Sequence, residues 1–266
     1  METKRFLKVL FIVIAAVVFM YASAAIPMTY RQVENVCAMS RVIGDVNGDG
    51  KGDLVAIGGI YDAQSIKVFA WYDVTPTSFI KHPINNTQLD NMGYNGDADL
   101  ADLDNDGDLD IITIDTKKGV AGYVKIFINP GNLGSNPNAV WPVQVAHTVA
   151  GVWEMKDVEV ADFDKDGKLD ILMCDNARGD PNYATMYVLY QNAINSWQIV
   201  SYRKTQTEGL AVGDMNGDGR VDAVIGGAYY RNPGGRSASW AFVGIDNQWY
   251  GHAIGWPSDC TMADSQ

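Results

Sequence analysis

The chain has 266 residues, with 20 Lys and Arg against 32 Asp and Glu, and a formal net charge of −12 at pH 7. So acidic a surface argues against nucleic acid and anionic lipid as partners, and it suits divalent cations wherever the carboxylates cluster. The 27 glycines and 13 tyrosines, among many valines and isoleucines, lean toward strands and tight turns.

Residues 1–24 read as a secretion signal rather than as fold. Lys4, Arg5 and Lys8 form a basic start, Val9 to Tyr21 an apolar stretch, and Ala22-Ser23-Ala24 the small residues of a cleavage site. The apolar stretch has 13 residues, short of the roughly 20 that span a bilayer. An uncleaved N-terminal anchor is the alternative. Without these residues, 17 basic side chains stand against 31 acidic ones. The mature chain, 25–266, is expected to be secreted, at the cell surface or in the periplasm, and not an integral membrane protein.

From Asp45 onward one pattern recurs four times: Asp-x-Asp/Asn-x-Asp-Gly-x-x-Asp, then two apolar residues. It begins at Asp45 (DVNGDGKGDLV), Asp102 (DLDNDGDLDII), Asp162 (DFDKDGKLDIL) and Asp214 (DMNGDGRVDAV), at spacings of 57, 60 and 52 residues. The patterning predicts one short strand before each acidic loop, as at 158–161 and 210–213, and three after it. The first of the three covers 54–59, 111–115, 171–175 and 223–227. The second covers 67–72, 124–130, 186–191 and 229–233, and ends at an aromatic or Asn-Pro turn. The third covers 79–84, 141–149, 197–202 and 249–254, and starts near an aromatic residue. No helical periodicity follows the signal. Four-stranded units of this length predict an all-β fold of β-propeller blades, four blades and the first strand of a fifth.

The acids have a chemical reason for their spacing. Calcium takes six to eight oxygens at roughly 2.3–2.6 Å, and carboxylates at positions 1, 3 and 5 of a tight loop turn inward together. Glycine at position 6 permits the bend: Gly50, Gly107, Gly167 and Gly219. Asp at position 9 takes the closing role, so the loop leads into a strand. The candidate ligands are Asp45, Asn47, Asp49 and Asp53 with the carbonyl of Lys51. In the second loop they are Asp102, Asp104, Asp106 and Asp110 with that of Asp108, and in the third Asp162, Asp164, Asp166 and Asp170 with that of Lys168. The fourth offers Asp214, Asn216, Asp218 and Asp222 with that of Arg220. Up to four calcium ions are expected, bound more weakly where Asn47 and Asn216 lower the charge. Asp-rich turns closed by side-chain hydrogen bonds, without metal, are the alternative. A metal that binds only the folded form would make stability depend on free calcium.

At these loops the chain resembles the FG-GAP/VCBS repeat family, the blades also seen in integrin α-subunit propellers. The segments VEVADFDKDGKLDIL and LAVGDMNGDGRVDAV, with YYRNPGG after the latter, are similar to VCBS-type blades of secreted bacterial proteins. The resemblance covers about residues 36–266. It implies a calcium-binding propeller and carries the ligand role onto the loop residues just named. Some such propellers accompany or form polysaccharide-active enzymes, including lyases. Related lyase-like blades often place a His before the inner strand. Lys156-Asp157 and Glu208-Gly209 stand there instead, so no catalytic residue carries over.

The resemblance also implies a ring larger than four blades. Cys37-Ala38-Met39-Ser40 parallels Cys260-Thr261-Met262-Ala263, which makes the C-terminal segment the expected first strand of a fifth blade. A truncated product and self-association of chains to complete the ring both remain open. Equivalent positions in adjacent blades argue against a Cys37–Cys260 bridge. Cys174, in the run Ile171-Leu172-Met173-Cys174, is expected to be a buried small hydrophobe.

His82, His147 and His252 recur in third post-loop strands and are expected to pack rather than to bind. Asn85-Asn86-Thr87 matches a glycosylation sequon, a weak signal. The segments leading into the inner strands hold the candidate ligand residues: Tyr94, Asp97, Trp153, Glu154, Lys156 and Glu208. Aromatic faces there would stack on a sugar while the carboxylates accept its hydroxyls. Solvated channel-lining charges are the plainer alternative. The expected function is a non-enzymatic adhesion or glycan/protein-binding module. The alternative is a fragment of a carbohydrate-active enzyme such as a polysaccharide lyase.

Overall fold

A computed structural model describes residues 40–58, 68–75, 77–84, 97–117, 119–152, 154–176, 184–203, 209–225 and 228–245. The signal segment, Cys37, Cys260, Tyr94, Trp153, Glu208, His252, the sequon and the strand expected over 249–254 lie outside the described residues.

Sixteen strands and no helix occur among the described residues, so no helix there is long and apolar enough to cross a membrane. The strands form four antiparallel sheets, each ordered as in the chain. The first holds β1 (Ser40–Gly44), β2 (Asp53–Gly58), β3 (Val68–Val74) and β4 (Phe79–Pro83). The second holds β5 (Ala98–Ala101), β6 (Asp110–Lys117), β7 (Ala121–Phe127) and β8 (Val143–Ala150). The third holds β9 (Glu154–Ala161), β10 (Asp170–Asn176), β11 (Thr185–Ala193) and β12 (Ser196–Arg203). The fourth holds β13 (Leu210–Gly213), β14 (Asp222–Ile225), β15 (Ala228–Arg231) and β16 (Ala241–Gly244).

In the fourth unit the strand that pairs with β15 is β16, which comes before the expected 249–254, a segment outside the described residues. Trp240 supplies the aromatic residue at its start, and its ring packs edge-on to Phe163 at 5.6 Å. It thus takes the place that Trp141 holds just before β8.

The second strand of each sheet shows why these residues choose sheet. In β10, Ile171 and Met173 join a core shared with the second sheet, while Leu172 and Cys174 join one shared with the fourth. Successive side chains of a strand point to opposite faces, so near-continuous apolar runs are covered on both sides. Three cores result, each between consecutive sheets. The first unites Val55, Ile57 and Trp71 with Ile111, Phe127 and Trp141. Cys174 is fully buried, as expected of a small hydrophobe in this run. The first strands β1, β5, β9 and β13 lie side by side in sequence order. Their far ends all run into the acidic loops, which the stack therefore sets at matching corners.

Candidate metal loops

Each loop joins the first two strands of its sheet. Gly44 pairs with Asp53, Ala101 with Asp110, Ala161 with Asp170 and Gly213 with Asp222. Within that hairpin the acids organise their own backbone. In the second loop, Asp102 accepts the amides of Asp106 and Gly107 through its two oxygens, both at 3.0 Å. Asp104 accepts the Asp106 amide at 3.3 Å, and Asp106 accepts that of Asp108 at 3.0 Å. The other three loops repeat the same ladder residue for residue.

The ladder requires two left-handed residues in each loop. Position 6 was legible in the sequence, with Gly107 at φ 98° and Gly167 at φ 87°. Position 4 was not. It holds Gly48 and Gly217 in the loops whose position 3 is Asn, but Asn105 (φ 62°) and Lys165 (φ 63°) in the two all-Asp loops. Asn tolerates that conformation better than Lys does.

The position-9 aspartates play a part that spacing alone did not disclose. Asp53, Asp110, Asp170 and Asp222 are buried, and each accepts the amide of its own loop's second residue at 3.0–3.2 Å. The other oxygen of three of them accepts the amide of Asn129, Gln191 or Asn232, each at 2.8 Å. Burial pushes Asp110 and Asp170 up to about 7 and Asp53 up to about 6, against the downward pull of those amides.

Asn129, Gln191 and Asn232 then fasten neighbouring sheets together. The side-chain amide of Asn129 donates to the carbonyl of Val46 in the first loop at 2.9 Å. Gln191 reaches Leu103 in the second loop at 2.9 Å, and Asn232 reaches Phe163 in the third at 2.7 Å. Each is buried, so each bond is made away from water. By register the matching position of the first sheet is Val74, two residues beyond the partner of Leu54, and its side chain carries no amide.

In the second loop, carboxylate oxygens of Asp102, Asp104 and Asp106 lie within 4.8 Å of one another, and Asp162, Asp164 and Asp166 do the same in the third. These hard oxygens fit calcium in type and spacing. In both loops the position-9 carboxylate stands apart from the cluster, on its backbone amides. The loops differ in the cations that attend them. Lys51 pairs with Asp49 and holds that carboxyl below its usual range. Arg220 lies 3.7 Å from Asp218, and Asn216 donates to Asp218 and to the Tyr229 hydroxyl. The third loop has Lys168 on Asp166 at 2.8 Å, and Arg236 of the fourth sheet on both Asp164 and Asp166. The second loop has no ion pair among the described residues. Burial, then the charge of Asp106, pushes Asp104 up.

The candidate sugar-binding residues that are described are engaged within the fold. Asp97 accepts the Ser40 hydroxyl at 3.1 Å and the Val158 amide at 3.3 Å, linking three sheets. Glu154 and Lys156 form a half-buried to buried ion pair at 2.9 Å. His82 lies over Trp71 with ring centroids 4.3 Å apart, and His147 lies 5.7 Å from Tyr187.

Residues 102–173 match the FG-GAP-like repeat family. Among solved structures, the V. cholerae biofilm matrix protein Bap1 is similar at 19% identity and a TM-score of 0.42. The similarity covers 80% of this chain and 32% of that one, so the chain spans about a third of Bap1. No curated protein matches the sequence.

Proposed function

We propose that this chain, which carries an FG-GAP-like repeat over residues 102–173, is a calcium-stabilised module of propeller blades that acts outside the cell by binding glycan or protein. The observation that carries the reading is the fourfold repetition of one loop. Four acidic hairpins hold the same ladder at the same corner of four stacked four-stranded sheets. The stacking of consecutive sheets through separate cores, first strands side by side, supports blades of a propeller.

Calcium's role in this reading is structural. Unneutralised carboxylates within 4.8 Å repel one another, and the ion removes that repulsion while adding bonds to the carbonyl edge of the loop. The ion belongs to the folded form, so it raises stability by mass action. A non-enzymatic role is favoured over a lyase by the ion pair of Glu154 with Lys156, which engages two of the candidate residues of the inner strand β9 with each other.

A thermal melt in calcium and in chelator, with a calorimetric titration of calcium, tests the metal. A melting temperature that rises with calcium supports the reading, and indifference to chelator overturns it. Glycan-array binding without release of unsaturated sugar supports the module. Release of such sugar, seen as ultraviolet absorbance, would establish the lyase instead.

A further inference from the structure

The second and third loops have the same three acids at the same spacing, yet only one is visited by a neighbour. The visitor arrives by a turn that the sequence encodes. Asn232 is locked by four hydrogen bonds: its amide to Asp222, its side chain to Phe163 and Val221, and its oxygen from Gly234. Gly234 sits at φ 78°, and a Cβ there would meet the Arg220 side chain at 2.4 Å. The left-handed backbone and the close Arg220 side chain favour glycine where the chain leaves the sheet. Two residues on, Arg236 reaches back across the junction between sheets.

Its guanidinium is held on every side. Nε pairs with Asp164, and Nη2 donates to Asp166 at 2.8 Å. Nη1 donates to Asn192 at 2.7 Å, Nη2 also to the Gln191 carbonyl at 3.2 Å, and the group lies 5.4 Å from the Tyr190 ring centroid. The side chain is 21% exposed and that of Asp164 8%. A planar, permanently charged fork across two carboxylates is the strongest form of such a pair.

The corresponding place differs at each of the other junctions. Leu133 stands four residues after Asn129, as Arg236 stands four after Asn232, so the first loop meets an apolar side chain. In the third sheet the chain turns back at once, with Ala193 paired to Ser196, and no excursion reaches the second loop.

We propose that Arg236 is the resident cation of the third loop. The guanidinium takes up the carboxylates of Asp164 and Asp166, two of the oxygens that would hold calcium, and the loop is a metal-independent clasp between the third and fourth sheets. The inference rests on the calcium reading for the other loops. The arginine is present whatever the free calcium, and an ion entering this loop would first have to displace a guanidinium that makes four hydrogen bonds.

The test is the number of calcium ions bound by the full chain, read by calorimetric titration, and the melt in chelator. Arg236→Gln is expected to bind one ion more than the parent. It should also melt about 3 °C lower in chelator, with calcium restoring the loss. The double substitution Asp162→Asn with Asp166→Asn is expected to leave the parent's ion count unchanged. If it removes an ion while Arg236 is intact, or if Arg236→Gln gains none, the clasp is overturned. Should no ion bind any loop, the calcium reading fails and the chelator melt alone decides. A fall in Arg236→Gln then upholds the arginine, and no fall overturns it.

Discussion

The second and third acidic loops differ at positions 2, 4 and 7 and in their surroundings, but not in the acids of positions 1, 3, 5 and 9. Both fold the same ladder of side-chain-to-amide bonds. One carries Asp108 and stands without an ion pair among the described residues, with Asp104 pushed up by burial and by Asp106. The other carries Lys168 and receives Arg236, and its Asp166 is held below the usual carboxylate range, first by Lys168. A motif therefore fixes the backbone of a loop without fixing its charge. Part of the cation supply comes from position 7 of the loop itself, as with Lys168, and part from the β15–β16 connection of the next sheet, about 70 residues away in the chain.

The comparison can be broken first where the loops are alike. Asp110→Ala and Asp170→Ala each strip two buried backbone amides of their acceptor. Each should cost about 3 kcal/mol in urea unfolding, alike in both loops and with or without calcium. A large difference between the two would mean that position 9 serves the metal in one loop only.

Where the loops differ, the same change should have opposite signs. In chelator, Asp104→Asn should raise stability by relieving repulsion, while Asp164→Asn should lower it by unpairing Arg236, each by about 1 kcal/mol. In saturating calcium, Asp104→Asn should become destabilising. Matching signs in chelator would remove the distinction.

A titration away from the loops supplies the background. Burial, then the charges of Asp99, Asp97 and Asp157, raises Glu159 from 4.5 to about 7. A raised carboxyl disfavours the charged folded form. The stability it leaves below pH 4.5 is lost as pH climbs to about 7 and stays lost above. Glu159→Gln should flatten that decline and melt about 2 °C higher at pH 8, equally in calcium and chelator. Smallest is the backbone effect in the third loop. Lys165→Gly should stabilise by about 0.5 kcal/mol by relieving its left-handed strain, with less gain for Asn105→Gly.

Much of this was legible in the sequence because repetition multiplies weak signals. The period placed every acidic loop, and the strands that fall on described residues, to within a few residues. Local pattern did not single out Trp240, whose place before β16 is marked by its packing against Phe163. The position-9 aspartates were read for their oxygens. Their burial and their grip on Asn129, Gln191 and Asn232 depend on contacts between units, which spacing does not encode. Arg236 was invisible for the same reason. The one available signal was its place four residues after the Asn of an Asn-Pro-Gly turn, matched by Leu133 at the earlier junction.

The amide brackets give the array a direction. Each bracket carries its own sheet's position-9 aspartate on one side and the preceding loop's second carbonyl on the other. A disturbance in one loop is thus handed to the sheet that follows, and Val74 ends the series on the upstream side. In a stack where each unit touches only its neighbours, such links act as the coupling term of a linear lattice. Cutting one, as in Asn129→Ala, should do more than lower a midpoint. It should divide one cooperative block into two, seen in hydrogen exchange as protection factors that no longer agree on either side of the cut.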